Sequence, residues 1–412
     1  MMTALSAPVG VPLITSAADA LRVADEVAAE IRRTSVEREL TGTLPIEELQ
    51  LVSRSGLLGI GVPAVVGGPD LARSVIVEVI RRLARADSAV AQLLLAHFVL
   101  SEGISGLGDA EPAATIYRDI LAGAQLGNAT VERGTKRSVD RTTTVRATDS
   151  GWVLDGTKYY ATGTLGASWI AVAATVADSD PVSTATVFVR PTDPGVTLQL
   201  DKWSSFGQRG TASGQVVFAE VPVEDVYVLD EGPAVDPATA DPAILGAYDQ
   251  AIHAAVDIGI ARAALEDGAE FIRTRSRPWF EAGVESADQE PHVVRRIGEL
   301  TARLYALEAL LARGTDLIDV ARAEDELTRD SAAAASLQVA AAKSLAQELA
   351  VEIASGIFEL TGASATDTQF ALDRHWRNVR VHSLHDPARW KYVHLGNHTL
   401  HGTRPPRLGV LL

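Results

Sequence analysis

Cysteine is absent from the 412 residues of this chain. Disulfide bonds, thiolate nucleophiles and metal sites with cysteine ligands are therefore excluded. Positive charge is also scarce, because 37 lysines and arginines face 53 aspartates and glutamates, which leaves a net charge of −16 at pH 7. Nucleic acids and anionic membranes repel a chain of this charge, so neither is expected as a partner.

Long apolar runs and nucleotide-binding motifs are missing as well. No run of about 18 apolar residues occurs, so no membrane span is expected. The opening residues lack both a charged region and an extended apolar region, so no signal peptide is expected and a cytoplasmic protein is the default. Neither a G-x-G-x-x-G motif nor a P-loop is present, which argues against NADH binding within this chain.

The spacing of apolar residues changes twice along the chain. Residues 1–125 place apolar side chains at helical spacing, residues 126–235 alternate strand-like runs with turns, and residues 236–412 return to long helical patterns. A chain of this length exceeds what one hydrophobic core usually organises. We therefore predict an α+β fold with an N-terminal helical domain, a central antiparallel β domain and a C-terminal helical bundle.

Two stretches predict helices with different surroundings. The segment "ADSAVAQLLLAHFVLSEGI" is apolar on nearly every side, so it predicts a buried helix with Asp87 or Ser88 as its N-cap. An Ala-rich stretch near residue 345 has apolar side chains at steps of four, which predicts a long amphipathic helix packed in a bundle. These side chains are Leu337, Ala341, Leu345, Leu349 and Ile353.

The central segment is rich in Thr, Val, Tyr and Trp. Its roughly 100 residues fit a small antiparallel barrel or sandwich. Asp155 and Gly156 stand between two strand-like runs, and an Asp-Gly pair in that setting predicts a hairpin turn.

Histidines concentrate near the end of the sequence. "VRVHSLHDPARW" holds His382 and His385 before an Asp-Pro pair, and the two side chains could be structural, bind a metal, or exchange a proton near pH 7. His394, His398 and His401 lie on one face of a possible helix. Neighbouring glycines weaken that helix and no carboxylate completes a ligand set, so a zinc site is not expected.

Several longer strings carry a family resemblance. "GLLGIGVPAVVGG", "GWVLDGTKYYATG" and "FGQRGTASG" resemble the acyl-CoA dehydrogenase superfamily. "RTRSRPWFEAGVESADQEP", "SGIFELTGA" and "DRHWRNVRVHSLHDP" are similar to its flavin-dependent monooxygenases of the dibenzothiophene-monooxygenase type. The resemblance implies an acyl-CoA dehydrogenase-like fold and the oxygenase component of a two-component system. Such a protein transfers oxygen from a flavin C4a-hydroperoxide to a small organosulfur substrate, and an amine or an aromatic carbon stays open as the alternative acceptor.

The resemblance also implies a cofactor and partners. Reduced FMN is expected, supplied by a separate reductase, and a homotetramer is expected. FAD-using members often carry a glycine-rich turn, whereas the corresponding "LTGASATD" keeps only Gly362.

Four catalytic residues follow from the resemblance. His385 would manage the proton of the flavin peroxide, Asn128 would lie near the reactive flavin edge, and Thr162 would lie near flavin N5. His97 matches a histidine on the pocket helix. His382 is expected to be mainly structural.

The cofactor-binding residues follow in the same way. Trp203 matches an aromatic residue beside the isoalloxazine, and Arg277 matches an arginine that grips the cofactor phosphate from a neighbouring subunit. The guanidinium fork suits a phosphate. The full set is Asn128, Thr162, Trp203, Thr211, Ser213, Arg277 and His385. The sequence alone, without the resemblance, favours Trp203 as a core residue of the β domain.

The chain departs from the family at three pocket positions. Gln92 and Ala96 stand where the subgroup has a histidine and a tyrosine, and Ser364 stands where it has an arginine. These differences put dibenzothiophene itself in doubt as substrate.

Two alternatives remain open. An FAD-dependent acyl-CoA dehydrogenase would need Asp386 as its base, but this carboxylate has a shorter arm than the family's glutamate and precedes a proline. A flavin-binding or purely helical interaction protein without catalysis is the other.

Overall fold

The computed structural model describes residues 10–107, 111–137, 140–236 and 240–406. Helices come first, a sheet follows, and helices return, which confirms the predicted order of the fold. The sheet begins at Gln125 and ends at Pro233. Whether the three parts are separate domains with boundaries near residues 125 and 235 stays a prediction.

The helices of the first part enclose a core that continues into the last part. Their bounds are α1 Ala17–Thr41, α2 Ile46–Ser55, α3 Arg73–Ala86, α4 Ser88–Leu100 and α5 Glu111–Leu121. Helix α4 begins at Ser88, directly after Asp87, whose carboxylate accepts the backbone N–H groups of Ala89 at 2.9 Å and Val90 at 3.3 Å. Asp87 is therefore the N-cap, and nearly every side chain of α4 is buried, as predicted.

Segment Ser88–Leu107 is long and apolar enough to cross a membrane by length and composition. Half of it is buried inside the fold, and its α-helical part is only α4. A core helix of a folded protein has these properties, because it is covered by other helices instead of lipid.

Within the residues described, the central sheet has eight strands. They are β1 Gln125–Ala129, β2 Thr144–Thr148, β3 Gly151–Tyr159, β4 Ala167–Val176, β5 Ser183–Val189, β6 Val196–Gln199, β7 Gln215–Val223 and β8 Val228–Pro233. The order is β6-β7-β3-β2-β4-β5-β8, with β1 also paired to β4. Strands β1 and β2 run parallel to β4, so the sheet is mixed. The prediction of a purely antiparallel sheet is therefore wrong. Residue alternation identifies a strand but carries no information about the direction of its neighbour.

The predicted hairpin turn at Asp155-Gly156 is wrong. Both residues lie inside β3, where the register against β7 shifts between Leu154 and Gly156. Gly156 has a φ of 145°, and a Cβ atom there would lie 2.6 Å from the Cα of Thr143. The glycine therefore serves a bulge and a close backbone approach. The hairpin turn itself lies between Thr148 and Gly151.

Across residues 240–406, the last part contains three long helices and two shorter ones. Their bounds are α6 Leu245–Thr274, α7 Pro291–Arg322, α8 Arg329–Thr361, α9 Asp373–His382 and α10 Ala388–His401. Helix α6 is buried on almost all sides from Gly246 to Ala261. On α8, Leu337 and Ile353 are buried, whereas Leu345 and Leu349 are only half-buried. The apolar stripe of α8 is thus partly uncovered within one chain.

Candidate active site

A chain of hydroxyl groups lies where the loop before β7 meets the end of β3. Thr211 donates to the backbone oxygen of Gln208 at 2.8 Å, and Ser213 donates to Thr211 Oγ1 at 2.9 Å. Thr162 Oγ1 and Ser213 Oγ are 2.9 Å apart. Because Ser213 has already used its hydrogen, Thr162 donates to it and keeps its own lone pairs available for a ligand donor.

Asn128 stands beside this chain. Its backbone N–H donates to the Thr162 carbonyl at 3.0 Å, which joins the two residues across the strand ends. Its Oδ1 accepts the N–H of Thr130 at 3.0 Å. The amide NH2 group therefore remains as a donor at the edge of the site.

Trp203 belongs to the same group. Its indole N–H donates to the carbonyl of Gln208 at 2.9 Å, and Tyr160 meets it edge-on at 6.2 Å. The indole is half-buried and lies outside the apolar core of the sheet, so the alternative of a β-core residue is not supported.

The loop that carries Trp203 is anchored to two helices. The backbone N–H of Gln208 donates to Asn378 Oδ1 on α9 at 2.7 Å, and Ser88 on α4 donates to its side-chain oxygen at 3.0 Å. A Cβ atom on Gly207 would lie 2.0 Å from the carbonyl oxygen of Arg377, so only glycine permits this approach. Gln208 and Asn378 were not singled out from the sequence, because polar residues in a loop and on a helix surface give no distinctive signal.

Helix α9 leads from this anchor to the histidine pair. His382 is fully buried, with Nδ1 2.7 Å from Asp257 Oδ1 and Nε2 3.1 Å from His253 Nδ1. Burial lowers the pKa of His382, although Asp257 opposes the shift. These contacts are what a structural histidine makes.

His385 is the accessible member of the pair. Its side chain is 41% exposed, and its ring stacks on that of His253 with 3.8 Å between centroids and 21° between planes. Its Nδ1 lies 3.8 Å from Asp386 Oδ1. His385 can therefore meet a ligand on one face while its other face is supported.

Asp386 has the opposite environment. The carboxylate is buried, forms an ion pair with Lys391, and accepts from Gln347 Nε2 at 3.3 Å. Burial would raise its pKa, but the neighbouring imidazole of His385 and the ammonium groups of Lys343 and Lys391 hold the pKa well below its usual value. An ionised carboxylate committed to these partners is a poor base for abstracting a substrate proton.

His97, which the resemblance predicts to be catalytic, is buried on α4. Its Nε2 donates to the Leu58 carbonyl at 2.8 Å, and its Nδ1 accepts the backbone N–H of Leu126 at 3.1 Å. Burial lowers its pKa to about 4, so the ring is neutral near pH 7. With both nitrogens engaged, His97 joins α4 to β1 and has no nitrogen left for a ligand.

Arg277 lies apart from this group. It follows the end of α6 with its side chain exposed, and it makes no contact with the hydroxyl chain within the residues described. Of its neighbours, Arg273 pairs with Glu270 at 2.7 Å, and Arg275 lies over the ring of Phe370. A role for Arg277 at the cofactor phosphate would therefore need a second subunit.

The substituted pocket positions differ in environment. Gln92 on α4 has a buried Oε1 atom without a hydrogen-bond partner among the described residues. Ala96 is half-buried on the same helix, whereas Ser364 is exposed after the end of α8. Across the described ranges, no group of three or more His, Asp or Glu side chains is arranged for a metal ion.

Fold and site together define a flavoprotein architecture in which His385 is the accessible member of the histidine pair. Residues 19–124 match the family described as "Acyl-CoA dehydrogenase, N-terminal domain", and residues 251–390 match "Acyl-CoA dehydrogenase, C-terminal domain". The chain belongs to the acyl-CoA dehydrogenase superfamily and, within it, to the flavin-dependent monooxygenases that resemble dibenzothiophene monooxygenase.

Three relatives place it in that branch. Dibenzothiophene monooxygenase of Rhodococcus qingshengii is 33% identical over 393 residues, which cover 94% of each chain. A Pseudomonas putida protein named "Probable FMNH2-dependent monooxygenase SfnC" is 29% identical over 96% of this chain and 98% of its own. The crystal structure of FMN-bound TdsC from Paenibacillus sp. A11-2 superposes with a TM-score of 0.88, 31% identity and coverage of 95% and 100%.

Proposed function

We propose that this protein is the oxygenase component of a two-component, FMNH2-dependent monooxygenase that adds one oxygen atom of O2 to a small organosulfur compound. The observation that carries the proposal is the contrast between two neighbours. His385 is accessible above a buried support, whereas Asp386 is locked into ion pairs. A proton can thus be exchanged by an imidazole, and the carboxylate that a dehydrogenase would need is committed elsewhere.

The polar groups of the site suit reduced FMN. Reduced FMN supplies the electrons that activate O2, and its N5 carries a hydrogen that the free lone pairs of Thr162 can accept. Asn128 offers a donor to the flavin edge, and Trp203 offers an aromatic face. Thr211 and Ser213 hold the Thr162 hydroxyl in its orientation. Arg277 of a neighbouring subunit would bind the phosphate.

His385 would hold or move the proton at the flavin edge. An imidazole exchanges protons near neutral pH, and its supported ring needs no reorientation to do so. Helices α4, α6 and α9 would keep bulk water away from the reaction, which limits the wasteful release of hydrogen peroxide.

An organosulfur substrate is supported by the relatives, of which one is named for dibenzothiophene. The buried Oε1 of Gln92 and the small side chain of Ala96 change the pocket relative to that subgroup. A small sulfide, sulfoxide or sulfinate is the class that we assign.

Partners and assembly complete the proposal. A separate reductase would supply FMNH2, because the sequence has no nicotinamide motif and one relative is named for FMNH2 dependence. A homotetramer would cover the apolar residues that α10 exposes, including Trp390, Val393 and Leu400. We place the protein in the cytoplasm.

The test uses the purified protein with chemically reduced FMN, 18O-labelled O2 and a panel of sulfides, sulfoxides and sulfinates. We expect a product that carries one 18O atom and tighter binding of reduced FMN than of FAD. A second arm mixes the FAD-loaded protein with acyl-CoA in the absence of O2. Flavin bleaching in that arm, without any oxygenated product in the first, would refute the proposal in favour of a dehydrogenase.

A further inference from the structure

Helix α6 carries three ionisable residues on one face. Asp249, His253 and Asp257 are spaced four residues apart, so they lie one above another along the helix. All three are buried, and they face side chains of α8 and α9. The mechanism above uses none of them.

Two of these residues, Asp257 and His253, belong to a chain of contacts that begins at Lys343 on α8. Lys343 Nζ on α8 lies 2.7 Å from Asp257 Oδ2, and both side chains are fully buried. Asp257 Oδ1 accepts from His382 Nδ1, and His382 Nε2 lies 3.1 Å from His253 Nδ1. The chain therefore runs from an ammonium group to an imidazole through a carboxylate and a second imidazole.

The direction of each hydrogen bond in this chain follows from the ammonium group of Lys343 at its end. An ammonium can only donate and an ionised carboxylate can only accept, so His382 presents its Nδ1–H to Asp257. The charges of Lys343 and Asp257 cancel, and burial lowers the pKa of His382 and holds that of His253 well below its usual value. Both imidazoles are therefore neutral, and His253 donates its Nδ1–H to His382 Nε2.

His253 is fixed by these bonds in one tautomer and one orientation. Its Nε2 carries no hydrogen and lies 3.7 Å from Asp249 Oδ1. Its flat face supports the ring of His385 at 3.8 Å. A neutral ring in this place puts no positive charge against the ring of His385.

We propose that His253 is a positioning residue for His385, whose ring it holds in place by stacking while the His382–Asp257–Lys343 chain keeps the support rigid and uncharged. The inference deepens the proposed function and rests on it for the role of His385. The stacking face of His253, and not its hydrogen bond to His382, is the part that acts on His385.

Two substitutions separate the ring from the hydrogen bond. His253→Phe keeps a flat, uncharged ring and loses the donor to His382. His253→Asn keeps an amide N–H near the place of Nδ1 and loses the ring. A matched control is His292→Asn, because His292 is exposed on α7.

The first readout is the ratio of oxygenated product to hydrogen peroxide with reduced FMN. We expect His253→Asn to lower this ratio by roughly 10-fold to 100-fold, the scale on which a misplaced group loses rate, and His253→Phe to retain clearly more of it. Tetramer content and FMN affinity are measured for each variant.

The second readout needs no flavin and no substrate. Diethyl pyrocarbonate modifies accessible imidazoles, and mass spectrometry follows the rate at His385 in the flavin-free protein. We expect faster modification in His253→Asn than in His253→Phe, because a ring that has lost its support exposes both faces. His292→Asn should match the wild type.

The outcomes separate the two proposals. If His253→Asn equals the wild type in both readouts, or if His253→Phe is impaired as severely as His253→Asn, the positioning role is wrong while the proposed function stands. If the wild type forms no oxygenated product, the proposed function fails, and the modification rates still decide whether His253 supports His385.

Discussion

Replacing Lys343 with Met should destabilise the protein severely. The ammonium and its partner Asp257 are both 0% exposed and lie 2.7 Å apart. Met fills much of the same volume, so the main effect is a buried carboxylate that has lost its cation. Breaking a buried pair from one side costs about 3–5 kcal/mol, and we expect a loss of that size in the free energy of unfolding.

The pH dependence gives this prediction a signature. Burial would raise the pKa of Asp257, but Lys343 and His382 hold this pKa below its ordinary value of 3.8. Its pairing therefore contributes stability above that pH, and the contribution is lost as the pH falls through the folded-state pKa. In Lys343→Met the pKa of Asp257 rises, so the deficit relative to the wild type should shrink in acid.

Urea unfolding followed by circular dichroism, at one protein concentration, measures the effect. The control is Arg33→Met, since Arg33 and Glu30 are 74% and 58% exposed and such a pair contributes about 1 kcal/mol or less. Lys343→Met combined with Asp257→Asn should recover part of the loss. A deficit below about 1 kcal/mol for Lys343→Met alone would refute the argument that the pair anchors the network.

Three further predictions concern the site and the assembly. His385→Ala should lower product formation by about 10²-fold while oxygen consumption continues and ends as hydrogen peroxide. Asp386→Asn should mainly lower the free energy of unfolding and keep most of the turnover. If Asp386→Asn abolishes turnover while His385→Ala keeps most of it, the roles assigned to the two residues are wrong. Asp249→Asn should stabilise the protein, because burial raises the pKa of Asp249 from 3.8 to about 6. Below pH 3.8 the carboxyl group is protonated in the folded and the unfolded protein and costs no stability, whereas stability is lost as the pH rises through about 6. In urea unfolding, the stability gained by Asp249→Asn should therefore reach about (6 − 3.8) × 1.36, or roughly 3 kcal/mol, near pH 8 and vanish in strong acid. Leu400→Asp, at a side chain that is 76% exposed on α10, should reduce the tetramer in light scattering, whereas Val65→Asp at a 91% exposed position should not.

The sequence predicted those features that depend on neighbouring residues. The N-cap at Asp87 follows from one side chain and the two N–H groups next to it. The grouping of Asn128, Thr162 and Trp203 followed from strings that the family shares, and the structure joins them through Gln208 and Ser213. The strand directions could not be predicted, because a parallel pair such as β1 and β4 joins segments separated by a whole hairpin.

The buried network was missed for a different reason. Asp249, His253 and Asp257 show helical spacing in the sequence, so their common face was there to be found. The role of these three side chains depends on Lys343, which is 86 residues from Asp257. Lys343 stands in an Ala-rich stretch that predicts only bundle packing. A buried charge cannot be recognised from sequence until its partner is known, since an unpaired one would not be tolerated.

The different environments of His385 and Asp386 arise from the turn between α9 and α10. Helix α9 ends at His382, and Pro387 stands at the N-cap of α10, so only the five residues 383–387 connect the two helices. Asp386 points inward to Lys391, one turn into α10, while His385 lies on the other side against His253. In such a short connection a carboxylate cannot leave the ion pair to reach a substrate without unwinding α10. The accessible acid-base group at this position is then an imidazole, and the chemistry favours proton exchange at a flavin edge over abstraction of a substrate proton.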